Sequence, residues 1–351
     1  MTLTLFLALA LATPLPQGGA TLAVPGDFPT LQTAIDAALP GDTVLVSNGV
    51  FKGSGNRDLR FGGKAITVRS ENGAEHCTIN CEGTPTVPFR GFIFDGFEGR
   101  DSVLEGFTIT GGATLPGAID DMFNGGGVLI QAASPTIRNC RFLANQAGCW
   151  GGAMYVGDSH GVTTGPASPL IENCRFESNL SDDEGGGFFT WGFGLGGRPT
   201  IRNSVFLSNG AGTGGGGITS FGGINLTLDH VTIAGNFASI GANAWIGQTT
   251  IKNSIIWDDG IDAGLQEWST NSITFSNIKG GATGIGNMNV DPLFKTDGFH
   301  LRPISPMVDA GAPFRGLGGS AGQLDIDGQP RRIGSRTDIG ADEAILRPIT
   351  K

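Results

Sequence analysis

One line of asparagine and apolar residues is written three times in the middle of this chain. Ser134-Pro135-Thr136-Ile137-Arg138-Asn139-Cys140-Arg141-Phe142 returns as Ser168-Pro169-Leu170-Ile171-Glu172-Asn173-Cys174-Arg175-Phe176, and again as Arg198-Pro199-Thr200-Ile201-Arg202-Asn203-Ser204-Val205-Phe206. Weaker copies lie at 103–109, 227–233 and 250–256. The aliphatic position runs Leu104, Ile137, Ile171, Ile201, Leu228 and Ile251, in steps of 33, 34, 30, 27 and 23 residues. A fixed core joined by loops of differing length produces that drift. Repeats of this size mean stacked supersecondary units that bury one continuous core.

Laid in register, the copies form columns. The charge column reads Glu105, Arg138, Glu172, Arg202, Asp229, Lys252, alternating in sign throughout. On parallel strands ~4.8 Å apart every charge then sits between two opposite ones, and a one-coil slip is opposed by all of them. Next comes Gly106, Asn139, Asn173, Asn203, His230, Asn253. Asn and Gly tolerate left-handed backbone, so this column marks a bend. Ile109, Phe142, Phe176, Phe206, Ile233 and Ile256 follow as an interior column, and then a second polar bend at Gly112, Asn145, Asn179, Asn209, Asn236 and Asp259. Gly-rich openings at 125–127, 151–152, 185–187 and 214–217 start another strand. Three short strands and three bends per coil, with no helix-length segment between them, predict a right-handed parallel β-helix over residues 21–290. A propeller would need four antiparallel strands with hairpin turns in each unit, which these copies lack.

With 60 Gly, 39% hydrophobic and 15% charged residues among 351, the chain has the means to bury a large core, and its Gly lacks the three-residue period of collagen. Net charge is −10, with no basic run to track phosphates, so a nucleic-acid partner is disfavoured. Residues 3–12 form an apolar block too short to span a bilayer, ending in Ala10-Leu11-Ala12; residues 1–12 read as a signal peptide, with a first buried strand as the alternative. No other segment has ~18 consecutive apolar residues, so a soluble, monomeric exported product is expected. Of five Cys, Cys140 and Cys174 share a repeat position and are expected to stack as buried thiols, while Cys77 and Cys81 on one extended strand would lie ~13 Å apart, too far to bridge. Solenoid ends expose strand edges, and the spacing of Leu31, Ala34, Ile35 and Ala38 predicts a capping helix at about 30–39.

Phe28-Pro29-Thr30-Leu31-Gln32-Thr33-Ala34-Ile35 followed by Gly41-Asp42-Thr43-Val44 resembles the opening segment of secreted pectate-lyase-like β-helix proteins. The Phe-x-x-Asn and Gly-Gly units resemble the repeats of bacterial polymorphic outer membrane proteins. The tail, with Asp291-Pro292-Leu293-Phe294, Asp309-Ala310-Gly311, Asp325-Ile326-Asp327-Gly328 and Asp338-Ile339-Gly340-Ala341, is similar to the C-terminal region of variably anchored surface β-helix proteins, and 291–351 is expected to cap the solenoid. The resemblance implies architecture far more than activity, because the fold hosts lyases, hydrolases and adhesins alike.

Chemistry is sought where the columns break. After the Gly-Gly openings, Val128, Met154, Phe188, Ile218 and Ala244 are placed inside, and Leu129, Tyr155, Phe189, Thr219 and Trp245 outside, because successive residues alternate across a sheet. Tyr155, Phe189, Trp191 and Trp245 are then the carbohydrate-binding candidates, rings suited to stacking on sugar faces. Asp120, Asp121, Asp182, Asp183 and Glu184 lie in loops feeding that face; they are the catalytic candidates, as glycosidic acid and base, against the plainer reading of solvated loop tips. No cofactor is required, but Ca²⁺ has oxygen ligands available at Asp182 and Asp183, and at Asp325 and Asp327 in a turn lacking the downstream Glu of a calcium loop. No Arg or Lys lies between Arg141 and Arg175, which argues against lyase chemistry, where such a base is needed beside the metal. The leading expectation is a non-catalytic binder of extracellular or cell-wall polysaccharide, or an adhesion module. A pectate-lyase-like lyase or glycoside hydrolase and a structural solenoid with a protein partner are the alternatives.

Overall fold

The computed structural model describes residues 18–117, 121–157, 165–192, 196–258, 265–267, 271–313, 324–331 and 333–345; the expected leader lies outside them. Among the described residues the chain is all β apart from one α-helix and a short 3₁₀ turn. Its strands lie in sheets of seventeen, eight and three members, and every ladder between them is parallel. Ile137 pairs with Leu104 and Ile171, Ile171 with Ile201, and Ile201 with Leu228, which is the register of the repeat columns.

The local cause of the coil is the asparagine bend. Asn139, Asn173, Asn203, His230 and Asn253 all hold φ between 46° and 55°, a left-handed backbone that turns Thr136–Arg138 into Arg141–Leu143 and Leu170–Glu172 into Arg175–Glu177. Around it the alternating charges meet as expected. Arg138 reaches Glu105 at 2.8 Å and Arg202 reaches Glu172 at 2.8 Å, partly exposed pairs that fix register more than they stabilise.

The second polar column is the continuous ladder. Asn145 Nδ2 donates to Asn179 Oδ1 at 3.0 Å, Asn179 to Asn209 at 2.8 Å, Asn209 to Asn236 at 2.9 Å and Asn236 to Asn243 at 2.9 Å. Each amide donates a second bond to a backbone carbonyl, from Ile109, Phe142, Phe176 and Phe206 in turn. These side chains are buried, and the ladder satisfies them fully. The left-handed residue of this bend is the one before the Asn: Ala144, Ser178 and Ser208, at φ 52°, 55° and 55°. Among the described residues the last rung is Asn243; Asp259, the last member of the column in the sequence, lies outside them. Beside the ladder, Phe176 stacks between Phe142 and Phe206 at centroid distances of 4.7 and 4.3 Å.

Two-residue strands at Gln146–Ala147, Leu180–Ser181 and Gly210–Ala211 make up the third sheet. They are too short to show alternation in a sequence. At the Gly-Gly openings successive coils touch backbone to backbone: a Cβ on Gly152 would lie 2.3 Å from the carbonyl oxygens of Gly186 and Leu180. All five cysteines are free and buried, and burial pushes the thiols of Cys77 and Cys81 up to about 12, so they are chemically quiet.

The helix spans Leu31–Ala37, with Thr30 as its N-cap and Leu31, Ala34 and Ile35 buried in the same core as Val44 and Val68. It ends at Ala38, earlier than the sequence pattern implied, because Pro40 lies two residues on. Among the described residues no helix is long and apolar enough to cross a membrane.

The described part of the tail, 291–345, touches four successive coils. Asp327 pairs with Arg175, Arg331 with Asn203, Ala341 N with Thr232 Oγ1, and Ala312 N with Asn253 Oδ1. Phe299 and Ala341 pack on Val205, and Leu301, Met307 and Ile339 pack on Ile255 and Trp257. Over its described part the tail is therefore a brace along the flank of the solenoid.

Candidate functional site

Two places break the regular columns. The first is the outer face of the eight-stranded sheet. Trp150, in the turn before Gly151-Gly152, lays its indole flat on Phe189, with centroids 4.8 Å apart and planes 6° from parallel, and reaches Tyr155 at 6.4 Å. Tyr155 is 1% exposed and Phe189 0%. The expected open column is thus corrected at Tyr155 and Phe189: alternation does send these rings outward, but the Cys149-Trp150 turn covers them. Trp191 and Trp245 remain partly exposed, joined by Phe221, which pairs in register with Trp191 and meets Trp245 edge-on at 4.7 Å. Trp245 owes its pose to Gly214, where a Cβ would come within 2.1 Å of the indole. Sequence reasoning missed Trp150 and Phe221. The one available signal was that Trp150, Glu184 and Gly214 hold equivalent places before the Gly-rich openings, where they bridge in parallel.

Of the acidic candidates, Asp120 and the side chain of Asp121 lie outside the described residues. Asp183 Oδ2 accepts from Trp150 Nε1 at 3.2 Å, fixing the covering ring, and Asp182 is an exposed partner of Gln146 at 3.5 Å. Among the described residues Asp182 and Asp183 gather no third His, Cys, Asp or Glu donor. Glu184 is half-buried, and burial with the neighbouring Asp183 raises its carboxyl from 4.5 to about 7. A raised folded pKa contributes stability below 4.5 that fades as pH climbs to 7. Glu184→Gln should therefore be more stable than wild type at pH 8, by about 1 kcal/mol after discounting for solvent screening, and no more stable at pH 4. Urea melts at the two pH values check this.

The second place is in the brace. Asp325 Oδ1 accepts from Asp327 N and Gln329 N, and its Oδ2 from Glu343 N, so this candidate ligand is used up in shaping the turn. Asp327 points the other way, with Oδ2 2.6 Å from His300 Nε2, while Asp297 Oδ2 sits 2.7 Å from His300 Nδ1. Burial alone would lower the imidazole, but the hydrogen bonds to Asp327 and Asp297 outweigh it and hold it at about 9. Asp342, 3% exposed, accepts from Leu301 N at 2.7 Å beside the same ring. Lys295, His300, Asp327, Gln329 and Asp342 line a cleft of about 700 Å³. His300 and Asp342 had no metal-ligand spacing to betray them, since the chain returns to this spot only through the fold; Asp297, three residues before His300, was the available hint.

With the coil and its columns established, residues 98–279 match the family model described as right handed beta helix region. The chain belongs to this β-helix family. The matched span takes in the β-helix coils from the first charge pair to the last strands, and it stops short of the brace. No curated protein matches this β-helix chain. Among solved structures it is similar to the pectate lyase Pel9A, at 13% identity and TM-score 0.42 over 94% of this chain and 97% of that one. It is also similar to the pectin methylesterase from Aspergillus niger, at 15% identity and TM-score 0.31 over 74% of this chain and 87% of that one. Likenesses this distant bear on neither activity nor substrate.

Proposed function

We propose that this β-helix protein binds extracellular or cell-wall polysaccharide without catalysis, along the edge formed by Trp191, Phe221 and Trp245. The reading rests on one observation: these partly exposed rings stand on successive coils, ~4.8 Å apart per coil, and are backed by the rigid buried stack of Trp150, Tyr155 and Phe189. Rings held in place by a core lose little side-chain freedom on binding. The reading includes export through the leader at 1–12, a monomeric solenoid of three main strands per coil capped by the helix at Leu31–Ala37, and retention at the cell surface.

The test is retention on a panel of insoluble and soluble polysaccharides. Replacing Trp191 and Trp245 together by Ala should weaken binding about 10- to 100-fold, from ~0.5–1.5 kcal/mol per ring, with circular dichroism checking that the variant stays folded, since Trp191 also packs on the Trp150 and Phe189 cluster. Unaltered retention would sink the proposal. A second reading, hydrolysis with Glu184 as proton donor, is favoured by its carboxyl staying protonated up to about 7. Release of reducing ends from the same panel, abolished in Glu184→Gln, would replace the first reading with this one.

A further inference from the structure

We infer that the flank brace carries a divalent metal site, with His300 Nε2, Asp327 and Asp342 as protein ligands and Zn²⁺ as the ion that suits them. One ligand atom from each of these residues lies within 4.8 Å of the others, and the three come from separate segments of the brace. Tetrahedral zinc holds its ligands at about 2.0–2.2 Å and so about 3.4 Å from one another, which means that the ion displaces the proton shared by His300 Nε2 and Asp327 Oδ2, that this 2.6 Å pair opens, and that any wider pair closes by side-chain torsion.

Three further observations point the same way. Asp297 Oδ2 holds His300 Nδ1 at 2.7 Å, which fixes the ring and presents Nε2 to the two carboxylates, the arrangement by which a carboxylate orients a metal-bound imidazole. Gln329, lining the same cleft, has its Oε1 shielded from solvent and without a hydrogen-bond partner among the described residues; a bound ion or its water would satisfy it. Three carboxylates, Asp297, Asp327 and Asp342, gather round one imidazole, with Arg175 on Asp327 and Lys295 at the cleft wall offsetting only part of that charge. Imidazole together with carboxylate selects Zn²⁺ over Ca²⁺, which prefers oxygen alone. The cleft these residues line is wide enough to admit a water as the fourth ligand.

Titrating the full chain with ZnCl₂ against a chromophoric chelator tests this. One equivalent should bind saturably, with Ca²⁺ unable to displace it. His300→Gln and Asp342→Asn should each weaken binding at least tenfold. Asp297→Asn should keep the stoichiometry, weaken binding about 10- to 100-fold, and shift the visible d–d band of the Co²⁺-loaded protein, which a purely structural role would leave in place. Circular dichroism identifies any variant that fails to fold, and the remaining ones carry the test. No saturable Zn²⁺ binding, Ca²⁺ binding in its place, or affinity unchanged in folded His300→Gln and Asp342→Asn would overturn the site.

Discussion

Asn179→Ala should lower the unfolding free energy by about 3–5 kcal/mol, a loss rare for a single polar side chain. The substitution removes the acceptor used by both the backbone N–H and the Nδ2 of Asn145, and the donor used by Asn209 Oδ1 and by the Phe142 carbonyl. Every group left behind is buried, and each orphaned donor or acceptor costs ~1–3 kcal/mol, partly relieved where a second bond survives. Asn173, at the other bend, is the control. It is partly exposed, and its value lies in adopting φ 51°, so Asn173→Gly should cost less than about 1 kcal/mol. Urea denaturation of the two variants decides the matter: similar losses would mean that the ladder is not the stabilising element.

Arg331→Ala should loosen the brace, at a cost of about 3–5 kcal/mol to the part it holds. The guanidinium is 4% exposed. Its Nε and Nη2 donate to Asn203 Oδ1 at 3.1 and 2.8 Å, and Nη2 also reaches the carbonyls of Gly340 and Ala341 at 2.9 and 3.1 Å. Removing it strips the tie to Asn203, one of the polar links between tail and coils, frees the Gly340 and Ala341 carbonyls, and leaves Glu343 buried beside an empty space. Lys should not rescue, because one ammonium cannot reproduce the planar fork. Limited proteolysis should release fragments from 291–345 in the variant while 98–279 stays protected, and an equal resistance of both regions would count against the brace.

What was legible in the sequence was whatever repeats. The sign-alternating column, the left-handed Asn column and the Phe stack are each seen several times over, and the register of the strands follows from them. The site features are unrepeated and were harder to see. Trp150 appears once, so nothing in a column announces that it folds back over Tyr155 and Phe189; alternation describes a bare sheet and says nothing of a turn that covers it. The grouping of His300 with Asp327 and Asp342 depends on how three stretches of irregular chain lie on the flank, and irregular chain has no period to read. Asp325 and Asp327 look alike in sequence, yet one shapes the turn and the other faces the cleft.

The asparagine ladder begins with the Gly112 amide donating to Asn145 and closes with Asn243 donating to the Trp257 carbonyl, so both ends finish on main chain. Between them each coil presents upward the same acceptor that it takes from the coil below. A gene duplication that inserts one whole coil there leaves no donor or acceptor unmatched, whereas a partial insertion breaks the run at once. Length along the axis is thus a quantity the chain gains or loses in whole units, which gives inheritance an easy way to lengthen or shorten the face that bears Trp191, Phe221 and Trp245.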